Sequence, residues 1–179
     1  MKRYLRYASF IVFIGLMLSC SSHKDTGEAE IPPIITVDRV TQKYNLQLDF
    51  RKNHFSGMLI ARQMDNDEIR LLFTTHFGLS VFDLSLRKDS MIVNSCVGAM
   101  RKKKILHLLE KDFRLIFLPT RHTRIKEKST TFEKRMNGKG ITKAIITLTE
   151  FSDSKPGQVH IKHPLIKLNI QLNELEMSN

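Results

Sequence analysis

Apolar and polar residues alternate with a period of two along much of this chain, the pattern of strands that bury one face. Tyr44 to Phe50 runs Tyr-Asn-Leu-Gln-Leu-Asp-Phe, and Phe55 to Met64 repeats the alternation before Asp65-Asn66-Asp67 marks a turn. Glu68 to Phe77 puts Ile69, Leu71, Phe73, Thr75 and Phe77 on one face, with Gly78 closing the segment. Val81 to Leu86 sets Phe82, Leu84 and Leu86 against Asp83 and Ser85, and Met91 to Val97 follows as a fifth strand. Five short strands in close succession predict an antiparallel meander, because parallel pairing would need long crossovers between them.

The period changes between Arg101 and Leu118. Ile105, Leu108, Leu109, Asp112, Phe113 and Ile116 step by three and four, which predicts one amphipathic helix ending before Pro119. A helix to about Lys111 followed by a strand from Phe113 to Leu118 is the competing reading. Arg121 to Lys128 is charged and extended or irregular. Thr130 to Met136 and Ile141 to Phe151 flank Asn137-Gly138-Lys139-Gly140, a hairpin turn whose residues tolerate positive φ. Val159 to Lys162 and Leu165 to Leu172 alternate again. The fold class is therefore α+β and mostly antiparallel β: about eight to ten strands, with one helix laid against the concave face.

The N-terminus follows a different logic. Lys2, Arg3 and Arg6 precede an apolar run from Ala8 to Leu18 that ends in Met17-Leu18-Ser19-Cys20, the order of a signal peptide with a lipobox. Residues 1–19 are expected to be removed and Cys20 to carry the lipid. Residues 20–33, small and polar and ending in Pro32-Pro33, read as a tether reaching about 20 Å. Residues 34–179 form a single domain. The chain has 179 residues and a formal net charge of +11; loss of Lys2, Arg3 and Arg6 leaves +8. On an exported chain that charge points to lipid phosphates and envelope proteins, with no nucleic-acid partner.

Candidate chemistry is sparse. With Cys20 lipidated, Cys96 has no disulfide partner, and its apolar neighbours make it a buried small side chain. His160 and His163 are three apart, which on a strand sets them on opposite faces. Asp65-Asn66-Asp67-Glu68 lacks the glycine and distant glutamate of a calcium loop. No nucleophile elbow, phosphate loop or zinc-protease motif occurs, so no catalytic residue, metal or cofactor is expected. Gly57, behind Phe55-Ser56, reads as relief for a strand bend. Arg101, Lys102, Lys103 and Lys104 are candidates for contact with an anionic surface.

Phe55-Ser56-Gly57-Met58-Leu59-Ile60, Arg70 to Gly78 ending in Phe77-Gly78, and Val81-Phe82-Asp83-Leu84 before a long helix resemble the strand series of small envelope lipoproteins of the lipoprotein-localisation (LolA/LolB-like) superfamily. The resemblance covers roughly residues 44–118. It implies a half-barrel, an incomplete antiparallel barrel wrapped over a helix, whose cavity receives acyl chains. Anchoring through Cys20 is similar to the receptor-like members, and Ser21 in place of aspartate implies the outer membrane, on its periplasmic side. The resulting expectation is a non-enzymatic outer-membrane lipoprotein that binds lipid or lipidated protein, with Phe73, Phe77, Phe82 and Leu84 walling the cavity. The alternative is an envelope interaction or assembly lipoprotein with a filled core and no lipid cargo.

Overall fold

The computed structural model describes residues 30–175. The expected signal segment 1–19, Cys20 as the expected lipidation site and the expected tether as far as residue 29 lie outside the described residues.

Ten strands form one sheet: β1 (Gln42–Phe50), β2 (Asn53–Gln63), β3 (Ile69–Thr75), β4 (Ser80–Leu86), β5 (Met91–Cys96), β6 (Thr123–Lys128), β7 (Phe132–Asn137), β8 (Ala144–Ser152), β9 (Lys155–His163) and β10 (Leu168–Glu174). The helix α1 (Lys103–Phe117) joins β5 to β6. The strand order is β5-β4-β3-β2-β1-β10-β9-β8-β7-β6, antiparallel throughout. The sheet is thus two five-strand meanders sewn together by the pairing of β1 with β10, in register from Tyr44 opposite Glu174 to Phe50 opposite Leu168. It does not close, and α1 connects its two edge strands.

On β1, β3 and β8 the alternation read from the sequence is the alternation of burial, whereas on β4 Val81 and Ser85 are buried too and β5 is exposed from Ile92 to Ser95. Leu46 and Leu48 on β1, Ile69, Leu71 and Phe73 on β3, and Phe82, Leu84 and Leu86 on β4 are buried, as are Ile146 and Leu148 on β8. On the opposite face Arg70 of β3 donates to Asp83 of β4, Nη2 lying 2.6 Å from Oδ2. The continuous helix prevails over the helix-then-strand alternative. Its buried residues Ile105, Leu109, Asp112, Phe113 and Ile116 extend one stripe through the segment that the alternative made a strand. The charged stretch after Arg121 becomes edge strand β6, exposed along most of its length.

Several boundaries differ from the sequence reading: β8 starts at Ala144, β9 at Lys155 and β10 at Leu168, where the pattern starts those strands at Ile141, Val159 and Leu165. β3 ends at Thr75, because Gly78 N–H donates to the Thr75 carbonyl and Thr75 N–H to that of Leu79, closing a tight turn around His76 and Phe77. Backbone pairing also reaches into the segment 20–33 read as a tether. Ile31 pairs with Thr120 through two backbone hydrogen bonds of 2.8 and 2.9 Å, and Ile35 N–H donates to the Ile116 carbonyl. The buried apolar core of the described residues runs from Ile34 to Leu172, so a chain starting at Ser21 contains all of it.

Candidate functional site

Three of the four residues expected to wall a cavity come together. Phe73, Phe82 and Leu84 have no accessible surface, and the rings of Phe73 and Phe82 lie 5.2 Å apart. Phe113 of α1 stacks 5.6 Å from Phe82 and 6.2 Å from Phe117. Space for even one water would leave accessible surface on these rings, so this part of the interior is packed core. The fourth residue corrects the expectation outright: Phe77 is 100% exposed. The period-two reading carried Phe77 inward with Phe73, but the chain turns one step earlier and leaves the ring at the tip of the β3–β4 hairpin.

The interior is not wholly apolar. Asp112 of α1 and His163 of β9 are buried together, with His163 Nε2 2.8 and 3.0 Å from the two carboxylate oxygens. Burial pushes the Asp112 carboxyl above the ordinary carboxylate range, and the hydrogen bond and charge of His163 offset only part of that. His163 Nδ1 has no hydrogen-bond partner among the described residues. On β7, Glu133 and Arg135 both point inward and are paired with each other. They stand at the wall of a cavity of about 800 Å³ whose apolar lining includes Ile34, Leu148, Phe151 and Pro156. No sequence signal marked these residues, because a charged residue at an inward position of a strand is indistinguishable from an outward one until the register is known.

The register also fixes what each end of the sheet carries. Phe50 opposes both Asn53 and Leu168, Gly57 opposes Thr75, Phe82 opposes Cys96, and Asn137 opposes Ala144. The β1–β2, β3–β4, β7–β8 and β9–β10 turns therefore share one end with the exit of β5. Segments 51–52, 76–79, 97–102, 138–143 and 164–167 at that end contain no Asp or Glu. They supply Arg51, Lys52, Arg101, Lys102, Lys139, Lys143 and Lys167, and their apolar residues Phe77, Leu79, Ile141 and Leu165 are 57–100% exposed. The turns at the other end hold Asp65, Asp67, Glu68, Asp89 and Asp153.

Arg101, Lys102, Lys103 and Lys104 belong to the first end, where all four are exposed. Arg101 Nη2 donates to the Cys96 carbonyl at 3.3 Å, pinning the chain where β5 stops. α1 begins there with no side-chain cap and no acidic residue in its first turn. Lysines at the positive end of the helix dipole are unfavourable locally, so packing of the apolar stripe holds the helix, and its exposed start adds positive potential. The described chain also starts at this end: Glu30 lies 3.8 Å from Arg121, next to the Ile31–Thr120 bridge.

Cys96 is buried, and desolvation raises its thiol pKa against the smaller opposite effect of Arg101. Among the described residues no helix is long and apolar enough to cross a membrane. No protein-family model matches the chain, and no curated protein matches it.

Proposed function

We propose that this chain is a non-enzymatic, lipid-anchored protein of the outer membrane, resembling the LolA/LolB-like lipoproteins, that meets the bilayer with one end of its sheet and binds lipid or the acyl chains of lipidated protein. The observation that carries this reading is the fully exposed Phe77, grouped with exposed Leu79, Ile141 and Leu165 on hairpin tips at an end whose turns carry only positive charge. Apolar side chains at the surface of a basic end are what an anionic bilayer accepts, by insertion of the tips and attraction of the charges. The position of Glu30 supports it, since a tether from Cys20 would leave the domain at that same end.

A half-barrel is the architecture this reading requires. Neighbouring helix residues Asp112 and Phe113 touch β9 and β4, five strand spacings apart in the sheet order. Flat, those strands would be separated by roughly 24 Å; a sheet curled around α1 brings both into reach. With Phe73, Phe82 and Leu84 packed, an acyl chain would need other space; the cavity beside β7 and β8 offers Ile34, Leu148, Phe151 and Pro156, but Lys128, Glu133, Arg135 and Asp153 line it as well.

The second reading, an envelope interaction protein with a filled core, is favoured by that same Phe73–Phe82–Phe113 packing. Native mass spectrometry with lipid extraction on the chain from Ser21 separates the two. Bound acyl species support the first, whereas a clean apo mass with no uptake of added phospholipid or lipopeptide leaves the second. Vesicle flotation tests the membrane-facing end separately. Phe77→Ser should weaken vesicle binding roughly 10-fold or more, the loss of one phenylalanine's burial; equal flotation of the two proteins would remove the supporting observation.

A further inference from the structure

Beside edge strand β6, at the basic end, lies a cavity of about 490 Å³ that the reading above does not use. His122 just before β6 and Arg124 and Lys126 on it line the cavity, as do Lys139 and Lys143 from the β7–β8 connection, with Met136 as the apolar contact. Among the described residues no carboxylate takes part in that lining. Nearby cations do have counter-ions: Lys134 pairs with Glu127, Lys128 with Glu133, and Arg135 with Glu133. Arg124, Lys126, Lys139 and Lys143, by contrast, make no ion pair among the described residues.

The local backbone is built for this gathering. Gly138 and Gly140 have positive φ, and a side chain at Gly138 would come within 2.7 Å of the Thr142 carbonyl oxygen. The connection thus folds onto itself and carries Lys139 and Lys143 to the mouth of the same cavity. Like charges held together without counter-ions repel, and an anion with several acceptor oxygens relieves that repulsion. Arg124 offers a planar fork and the lysines compact point charges, the donor set that phosphate takes.

We infer that this cavity binds a phosphate group, and that its source is the headgroup of an anionic lipid. The choice of source rests on the bilayer-facing reading of this end, and Ile141, exposed beside the cavity, is the apolar neighbour a headgroup site would use. The phosphate chemistry itself stands on the cavity alone.

The test compares Arg124→Gln/Lys143→Gln with Lys88→Gln/Lys155→Gln, which removes the same charge at the opposite end, both in the chain from Ser21. Thermal melts establish folding, and Lys126→Gln/Lys139→Gln replaces the first pair if it does not fold. Each is floated with vesicles of phosphatidylcholine and of phosphatidylcholine doped with phosphatidylglycerol, and titrated calorimetrically with inorganic phosphate. The cavity variant should bind the doped vesicles roughly 30-fold more weakly, the effect of two basic groups near an anionic surface, with neutral-vesicle binding and the control unchanged. Equal losses in both variants would overturn the site in favour of unspecific charge. Phosphate binding that the cavity variant loses, without vesicle binding by either protein, would uphold the phosphate site and overturn the lipid source and the membrane reading. No difference between wild type and the cavity variant with any probe would overturn the inference whole.

Discussion

Phe82 shows how a single side chain commits this core. Its ring touches Phe73 on one side and Phe113 on the other and has no accessible surface. Phe82→Ala should cost about 3–5 kcal/mol by removing buried surface and leaving a void, read as a shift of the urea midpoint with unchanged slope. Phe82→Asp would bury an unpaired charge and should not yield a folded protein; a folded Phe82→Asp chain would show the ring to be dispensable. Gly57 is committed differently. A Cβ there would lie 2.0 Å from the Thr74 carbonyl oxygen on β3, beside the register shift between Phe73 and Thr74. Gly57→Ala should therefore destabilise by more than about 2 kcal/mol, since the obstacle is backbone; an unchanged melting temperature would contradict the close approach. That Gly57 is special was legible from a glycine within a strand pattern, but the partner it must let pass was not, because that depends on a bulge in another strand.

At the scale of the element, α1 is legible almost to the residue, since its apolar stripe has one period from Ile105 to Ile116. What the stripe cannot tell is that Asp112, which falls within it, is buried against His163, fifty-one positions away. Burial raises the folded-state pKa of Asp112, with His163 and Lys111 pulling the other way. The folded protein then holds this proton to higher pH than the unfolded chain does. The contribution of Asp112 to stability is greatest below the ordinary carboxylate value near 4 and declines as pH rises through its folded value. Asp112→Asn keeps an acceptor for His163 Nε2 and loses the titration, so its stability should fall less than that of wild type as pH rises above the ordinary carboxylate value. Parallel pH profiles from urea melts would deny the shift. Asp112→Ala, which strips His163 of its hydrogen-bond partner, should cost about 1–3 kcal/mol.

The whole molecule adds what no element contains. The first meander is readable strand by strand and the second except for β6, yet the β1–β10 seam joins residues more than a hundred apart, and local pattern carries no information about it. The seam puts the β3–β4 tip of one meander and the β7–β8 and β9–β10 tips of the other at a common end. Phe77, Ile141 and Leu165 are scattered exposed residues in the sequence and neighbours in purpose only in the assembled sheet. If that end meets the bilayer, a polarity-sensitive fluorophore on Leu165→Cys should blue-shift with anionic vesicles, and one on Met64→Cys, at the opposite end and also exposed, should not. In the chain from Ser21, which lacks Cys20, the buried Cys96 leaves the introduced thiol as the reactive position. High salt should weaken the attraction by screening the basic turns, while the shift per bound molecule stays constant because insertion of the tips is apolar. A shift at Met64, or none at Leu165 in protein shown to float with the vesicles, would mean that charge draws the molecule to lipid in some other orientation and that the hairpin tips are not its point of entry.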